Sequence, residues 1–392
     1  MDQEAALDLV KKGATLLLLD VPQFTLFGID TQMFSVGPLF KGMKMIPPGT
    51  HFVYYSPSNK EGNEFSPTVG FFLITHPAEV VVRKWHHKEE RLIKLSEEEE
   101  GRYSEAVRRL EFDTHLGPYA LDRYGEWKQL SNFITQNIID RLEPIGGDIT
   151  IAFEPGLIDQ VPRTAMEKRL MEQLRCNKFS KFATEASDRR GCYYTSIPHS
   201  IKRKGISGEE LTAINHDKTE LLEVVLMKDY GGEEDSLLGE LQFSFIAFMM
   251  AQSLEAFLQW KAIVILLISC IEAPLRTRTR LFAKFIRVIY YQLKHGLQRN
   301  ESNGTSANKG ISLFLDEVWF SKDIFLFRLC KDFFPLVLDS PVVDGDLLSW
   351  TRKLKSLLET ALGWDFADDA MELICDEGDE FSPVIVPFDE AN

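Results

Sequence analysis

Between residues 15 and 94 the apolar positions come in short β-branched and aromatic runs, at 15–19, 51–55, 69–75 and 80–85, with glycine and proline breaking up the sequence between them. Runs of that length and spacing predict an all-β unit, either a sandwich or a barrel. Pro47-Pro48-Gly49 marks a turn directly ahead of the second run, because proline fixes φ for the turn and glycine accepts a positive one. The period then changes from two to about 3.6. Ser96 and Glu99 make a capping box, and Tyr103, Val107 and Leu110 follow at helical spacing, so a helix begins near residue 97. Trp127, Leu130, Ile134, Ile138 and Leu142 predict a second helix, stopped by Pro144 and Gly146-Gly147. Both helices are expected to pack on the β unit.

From residue 147 to 205 the chain is polar, basic in patches and poor in period, which predicts a connection with a short helix at 165–174. Ser207 and Glu210 form another capping box, and helices are predicted at 209–229, 237–251, 253–271, 275–295, 311–334 and 343–362. Their short connectors suggest an antiparallel stack or superhelix. The expected fold is α+β: a β-rich domain at 1–146, a connection at 147–205, a helical domain at 206–366 and a tail at 367–392.

Composition narrows the function classes. The 392 residues carry 59 acids against 44 bases, a net charge of −15, and such a field repels phosphate backbones. No direct sequence-specific nucleic-acid binding is expected. Five cysteines (Cys176, Cys192, Cys270, Cys330, Cys375) are an odd number without Cys-x-x-Cys spacing, which suits reduced thiols in the cytoplasm or nucleus. No signal peptide is expected, since the N-terminal apolar run 16–19 is shorter than the ~7–15 residues such a core needs, and no membrane span, since the run at 262–271 is far shorter than the ~18 residues a span requires.

Candidate chemistry is sparse. The P-loop spacing is absent from 37–42, and Gln32 stands after Asp30-Thr31 where an aspartic-protease triplet needs glycine. His86-His87 beside Glu89 and Glu90 read as solvated surface, because adjacent strand residues point to opposite faces. No cofactor is expected. An enzyme with a dispersed site around Asp20, Asp30 and His51 remains the rival to a protein-binding role. Arg276, Arg280, Lys284 and Arg287 recur at four, four and three positions on one helix face, either a docking stripe for an acidic partner or RNA phosphate, or an ordinary solvated face, with the plain face favoured.

The tail opens acidic (Asp368, Asp369, Asp376, Glu377, Asp379, Glu380) and closes on Phe381-Ser382-Pro383-Val384-Ile385-Val386-Pro387-Phe388. In an extended strand Val384, Val386 and Phe388 share one edge with all their N–H donors, whereas Pro383, Ile385 and Pro387 share the other, which lacks two. Such a strand can join one sheet edge and resists further extension. Burying Val384, Val386 and Phe388 could contribute about 1.5–3 kcal/mol each before the ordering entropy is subtracted. A return of the strand to its own β domain, or a tail without order, stands level with partner binding.

Gly28-Ile29-Asp30, Val36-Gly37-Pro38, Phe40, Lys44-Met45-Ile46-Pro47-Pro48-Gly49, His51-Phe52 and Gly70-Phe71-Phe72-Leu73 resemble patterns of the A1 cistron-splicing factor family. The resemblance continues in order through Leu116-Gly117-Pro118-Tyr119, Asn132-Phe133-Ile134, Leu238-Gly239-Glu240-Leu241-Gln242-Phe243, Glu255-Ala256-Phe257, Trp260-Lys261 and Trp364-Asp365-Phe366. It implies a β-rich N-terminal domain and a helical C-terminal domain similar to the VHS superhelix. It further implies a non-catalytic assembly factor of the U5 small nuclear ribonucleoprotein. Such a factor binds the large U5 scaffold protein through its RNase H-like and MPN-type domains and holds off premature RNA and helicase engagement, under phosphorylation control. The family's tail adds a strand to the partner, which here implicates Val384, Ile385, Val386 and Phe388. No family phosphosite aligns onto this chain; Ser302, Thr305 and Ser306 in the polar stretch 299–310, and Ser382 beside the strand, are candidates by accessibility. A VHS-type sorting adaptor is a third reading, and it would need a peptide groove on the helical domain.

Overall fold

The computed structural model describes residues 12–154, 191–201, 205, 207–301 and 325–366. These residues divide into two compact units. One holds the described residues up to Tyr194 together with Gly239–Gln259 and residues 298–301, and the other holds those of Thr195–Leu238, Trp260–Leu297 and the described residues from 325 onward.

In the first unit the predicted runs become strands, and further strands join them: β1 (Ala14–Leu19), β2 (Leu26–Ile29), β3 (Gln32–Ser35), β4 (Gly42–Ile46), β5 (Gly49–Ser56), β6 (Val69–Thr75), β7 (Val80–His86), β8 (Arg91–Ile93) and β9 (Gly117–Pro118). They form a five-stranded sheet in the order β8-β7-β1-β4-β9 and a four-stranded sheet in the order β3-β2-β5-β6. The second sheet is antiparallel throughout, whereas β1 runs parallel to β7 and β4 parallel to β9 in the first. Both orders leave open edges, so the barrel alternative is excluded and a two-sheet arrangement stands.

Side chains alternate across each strand, and here both alternations are buried. Leu16 and Leu18 of β1 share one core with Phe27 and Ile29 of β2, Val53 and Tyr55 of β5, and Phe71 and Leu73 of β6. The opposite set, Leu17, Leu19 and Val82, meets Val107 of α1 (Glu97–Arg108) and Leu116. On the other sheet Phe72 stacks on Phe243 of α6 (Glu234–Ala251) with ring centroids 4.5 Å apart, and Phe52 lies edge-on to Phe72 at 4.7 Å. Burial on both faces explains why 15–19 and 51–55 read as continuous apolar runs rather than as alternating ones. Gly28 and Gly70 lie beneath the rings of Tyr54 and Phe52, where any Cβ would collide.

Several helix expectations are corrected. The stripe 127–142 is broken into α2 (Tyr124–Ser131) and α3 (Gln136–Leu142), and 209–229 into α4 (Gly208–His216) and α5 (Thr219–Asp229). Asp217 causes the second break: its carboxylate accepts the Thr219 N–H and hydroxyl at 2.9 and 2.7 Å and the backbone N–H of Ile271 at 2.9 Å. Burial acts to raise that carboxyl, and these hydrogen bonds outweigh it and hold it below the usual aspartate range. Leu110, expected on the apolar face of α1, lies beyond its end at φ 62° and is 70% exposed. The remaining helices are α7 (Leu254–Ile268), α8 (Thr279–Glu301), α9 (Phe325–Leu338) and α10 (Gly345–Leu362). The helix expected at 165–174 and the first part of that expected at 311–334 lie outside the described residues. Among the described residues no helix is long and apolar enough to cross a membrane.

Candidate functional site

The rival catalytic residues are only partly brought together. A two-residue turn, Asp30-Thr31, joins β2 to β3 with Asp30 at φ 55°. Its carboxylate accepts the Phe52 N–H at 2.8 Å through Oδ1, and the Tyr119 hydroxyl at 2.6 Å through Oδ2, which also lies 2.6 Å from His51 Nδ1. His51 Nε2 is 2.6 Å from the Pro47 carbonyl, which can only accept, so that nitrogen carries a proton. Thr75 donates to the same carbonyl at 2.9 Å. Burial alone would push the His51 ring toward neutrality; the Asp30 charge and hydrogen bond, with the Pro47 carbonyl, outweigh it and raise the ring above the usual histidine range. Burial, then Asp30, push the Tyr119 phenol up, so it stays a donor.

Asp30 and His51 have no exposed surface, and every polar atom of the pair has a protein partner. The arrangement can lock three chain segments together, but it presents no lone pair or proton to a substrate. Asp20 is not part of it. That residue lies on the surface, with Lys84 at 3.9 Å. Tyr119 escaped sequence reasoning because it joins Asp30 from 89 positions away. His86 and His87 stand at the end of β7, where the His86 ring accepts the Glu89 N–H at 3.2 Å.

A second polar centre in the same unit is built on α6 and the start of α7. Gln242 accepts the Phe133 N–H at 2.8 Å and donates to Gln129 and Asn132. Glu240, fully buried, pairs with Arg141 at 2.6 Å and accepts from Gln259 at 2.8 Å. Glu154 accepts the Leu254 and Glu255 N–H groups at 3.0 and 3.1 Å at the start of α7, and burial pushes its carboxyl up to about 8.

The basic stripe is in the other unit. Arg276 is not on the helix with its neighbours: it sits in a separate π-turn, Ala273–Thr277, and pairs with Glu272 at 3.2 Å. The break falls at Arg278, whose guanidinium is held by Glu223 at 2.7 and 2.8 Å and Glu234 at 3.0 Å. Arg280, Lys284 and Arg287 are on α8; Lys284 reaches Asp235 at 2.5 Å, and Arg287 lies 5.9 Å over the Trp350 ring. Val384, Ile385, Val386, Phe388, Ser302, Thr305, Ser306 and Ser382 lie outside the described residues.

Two family models match the chain. One, described as AAR2 N-terminal domain, covers residues 12–144, and the other, AAR2 C-terminal repeat region, covers residues 194–367. The human protein AAR2 homolog is 32% identical over 406 residues, spanning 100% of this chain and 97% of that protein. The Caenorhabditis elegans protein AAR2 homolog is 31% identical over 371 residues, spanning 92% and 96%. The A1 cistron-splicing factor AAR2 of Saccharomyces cerevisiae is 24% identical over 377 residues, spanning 92% and 94%.

Proposed function

Since the chain belongs to the AAR2 family, we propose that it is a splicing-related assembly factor acting by protein binding rather than catalysis. The observation that carries this reading is the match along the full chain to relatives that include a named splicing factor. The partner is the large scaffold protein of the U5 small nuclear ribonucleoprotein, engaged at its RNase H-like and MPN-type domains. The factor acts in the cytoplasm and nucleus and keeps RNA and the helicase away until the particle matures. The sealed Asp30–His51–Tyr119 centre supports a scaffolding role for the residues that a catalytic reading would use.

In this reading the strand at 383–388 pairs with a sheet edge of the scaffold through the donors of Val384, Val386 and Phe388. Phosphorylation at Ser302, Thr305, Ser306 or Ser382 would add about two negative charges and weaken the contact. The test is titration of the purified scaffold domains with the full chain and with a chain lacking 381–392. Loss of affinity with an unchanged unfolding midpoint is expected. Equal affinity would remove the tail mechanism, and turnover of a small substrate abolished by one polar replacement would remove the non-catalytic reading.

A further inference from the structure

The cations of α8 continue beyond the predicted stripe and acquire aromatic neighbours from α10. Arg280, Lys284, Arg287, Tyr291 and Lys294 recur at four, three, four and three positions, one face extending about 21 Å at 1.5 Å per residue. Trp350 of α10 lies against Tyr290 and Tyr291 at ring distances of 5.6 and 5.8 Å. The Lys353 ammonium sits 4.1 Å over the Trp350 ring, and Lys294 lies 6.0 Å from Tyr290. The rings thus attract Arg287, Lys294 and Lys353 to this face. Among the described residues no carboxylate pairs with Arg280, Arg287, Lys294 or Lys353, while the neighbouring Lys284 and Arg276 do have partners.

In a chain of net charge −15, unpaired cations gathered on one face call for an acidic occupant. Two features favour carboxylates over nucleic acid. A base stacking on Trp350 would have to displace the cation already over that ring, and the overall charge repels phosphodiesters. A carboxylate meets the same guanidinium and ammonium groups without displacing anything. The chain supplies such an occupant. Residues 367–392 contain no lysine or arginine, and 368–380 hold Asp368, Asp369, Glu372, Asp376, Glu377, Asp379 and Glu380. The root of this segment is fixed, because Trp364 and Phe366 pack on Phe327 at 5.3 Å each. Lys353 lies about 14 Å back along α10 from Leu362, whereas the 14 residues of 367–380 can reach about 46 Å when extended at roughly 3.3 Å each.

We propose that the acidic segment 368–380 docks on the Arg280–Arg287–Lys294–Lys353 face of its own chain. Tethering gives it a millimolar-range effective concentration, enough to fill a site made of individually weak charge contacts. Docking would hold the adjoining strand at 383–388 next to α8 and α10, from where a partner's sheet edge could draw it away. The proposal concerns the free chain and stands whether or not the strand joins a partner.

The test is zero-length carbodiimide coupling of the full-length protein without a partner, read by peptide mass spectrometry on the monomer fraction. Links from Lys294 or Lys353 to 368–380 are expected, with yield falling about tenfold at 1 M salt, where charge interactions are screened beyond roughly 3 Å. Arg280→Glu with Arg287→Glu, both at exposed positions, should reduce the yield at an unchanged unfolding midpoint. Links no more frequent than those from exposed Lys60 and Lys88, or a yield indifferent to salt, would overturn the proposal. So would anisotropy of a labelled oligouridylate showing that the full-length chain binds it through Arg287 as tightly as a variant whose tail acids are all amides.

Discussion

Asp30 shows how much of this fold hangs on single side chains. One carboxylate receives the Phe52 N–H, the His51 ring and the Tyr119 hydroxyl, and so joins the β2–β3 turn, β5 and the segment after β9. Replacing either Asp30 or His51 by alanine leaves the other charge buried and unpaired, at an expected cost of about 3–5 kcal/mol. Urea unfolding of the two variants measures this; a loss under 1 kcal/mol would show that the pair is dispensable. Protonation gives an independent check. His51 is raised in the folded chain, so its stabilisation is complete below the unfolded value of 6.5 and is lost as pH rises through the folded one. Glu154 acts in the same direction: the folded chain keeps its proton up to about 8, whereas the unfolded chain loses it near 4.5, so stability falls across that interval. Unfolding free energy should therefore decline from about pH 5 to 8. Glu154→Gln should flatten the part due to Glu154, and Asp30→Asn the part due to His51.

Among the elements, α6 illustrates a contest between local and tertiary preference. Alanine is favoured over glycine inside a helix by about 1 kcal/mol, which by itself would make Gly239→Ala stabilising. A Cβ there would, however, stand 2.6 Å from the Phe133 carbonyl oxygen and 2.9 Å from Ile138, and backbone cannot yield as a flexible side chain can. The tertiary term is the larger, and Gly239→Ala is expected to destabilise by about 1–3 kcal/mol, read as a lower thermal midpoint. The broken helices teach the same lesson. One helix was expected through 209–229, but Asp217 finds backbone donors at Ile271 and Glu272 that no helical pattern announces. The stripe from Arg276 to Arg287 was legible as spacing, whereas the π-turn that removes Arg276 from the helix was not.

On the scale of the whole molecule, the resemblance spread along the chain falls largely on residues that hold the first unit together. Gly28 and Gly70 make room for aromatic rings, Asp30, His51 and Tyr119 form the sealed centre, and Gly239, Glu240, Gln242 and Phe243 join α6 to the N-terminal segments. The binding role proposed above then rests on exterior groups, and its strand geometry can be tested residue by residue. Val386→Pro removes a donor from the intact edge, while Ile385→Ala trims a side chain on the edge already interrupted by proline. The first should weaken scaffold binding more than the second in a calorimetric titration; the reverse order would refute the edge assignment.

Local order along the chain was enough to determine the change from strand to helix near residue 97, the N-cap at Ser96 and the capping box at Ser207, because each depends on neighbours within about one helical turn; at Ser96 the reciprocal Glu99 bond of the expected box is replaced by a hydroxyl–carboxylate contact. Tertiary structure alone decided that two sheets stay open rather than close, that Tyr119 completes the Asp30–His51 pair, and that Trp350 meets the cations of α8. Those outcomes join residues tens of positions apart, and a hydrophobic period says which face is buried without saying what buries it.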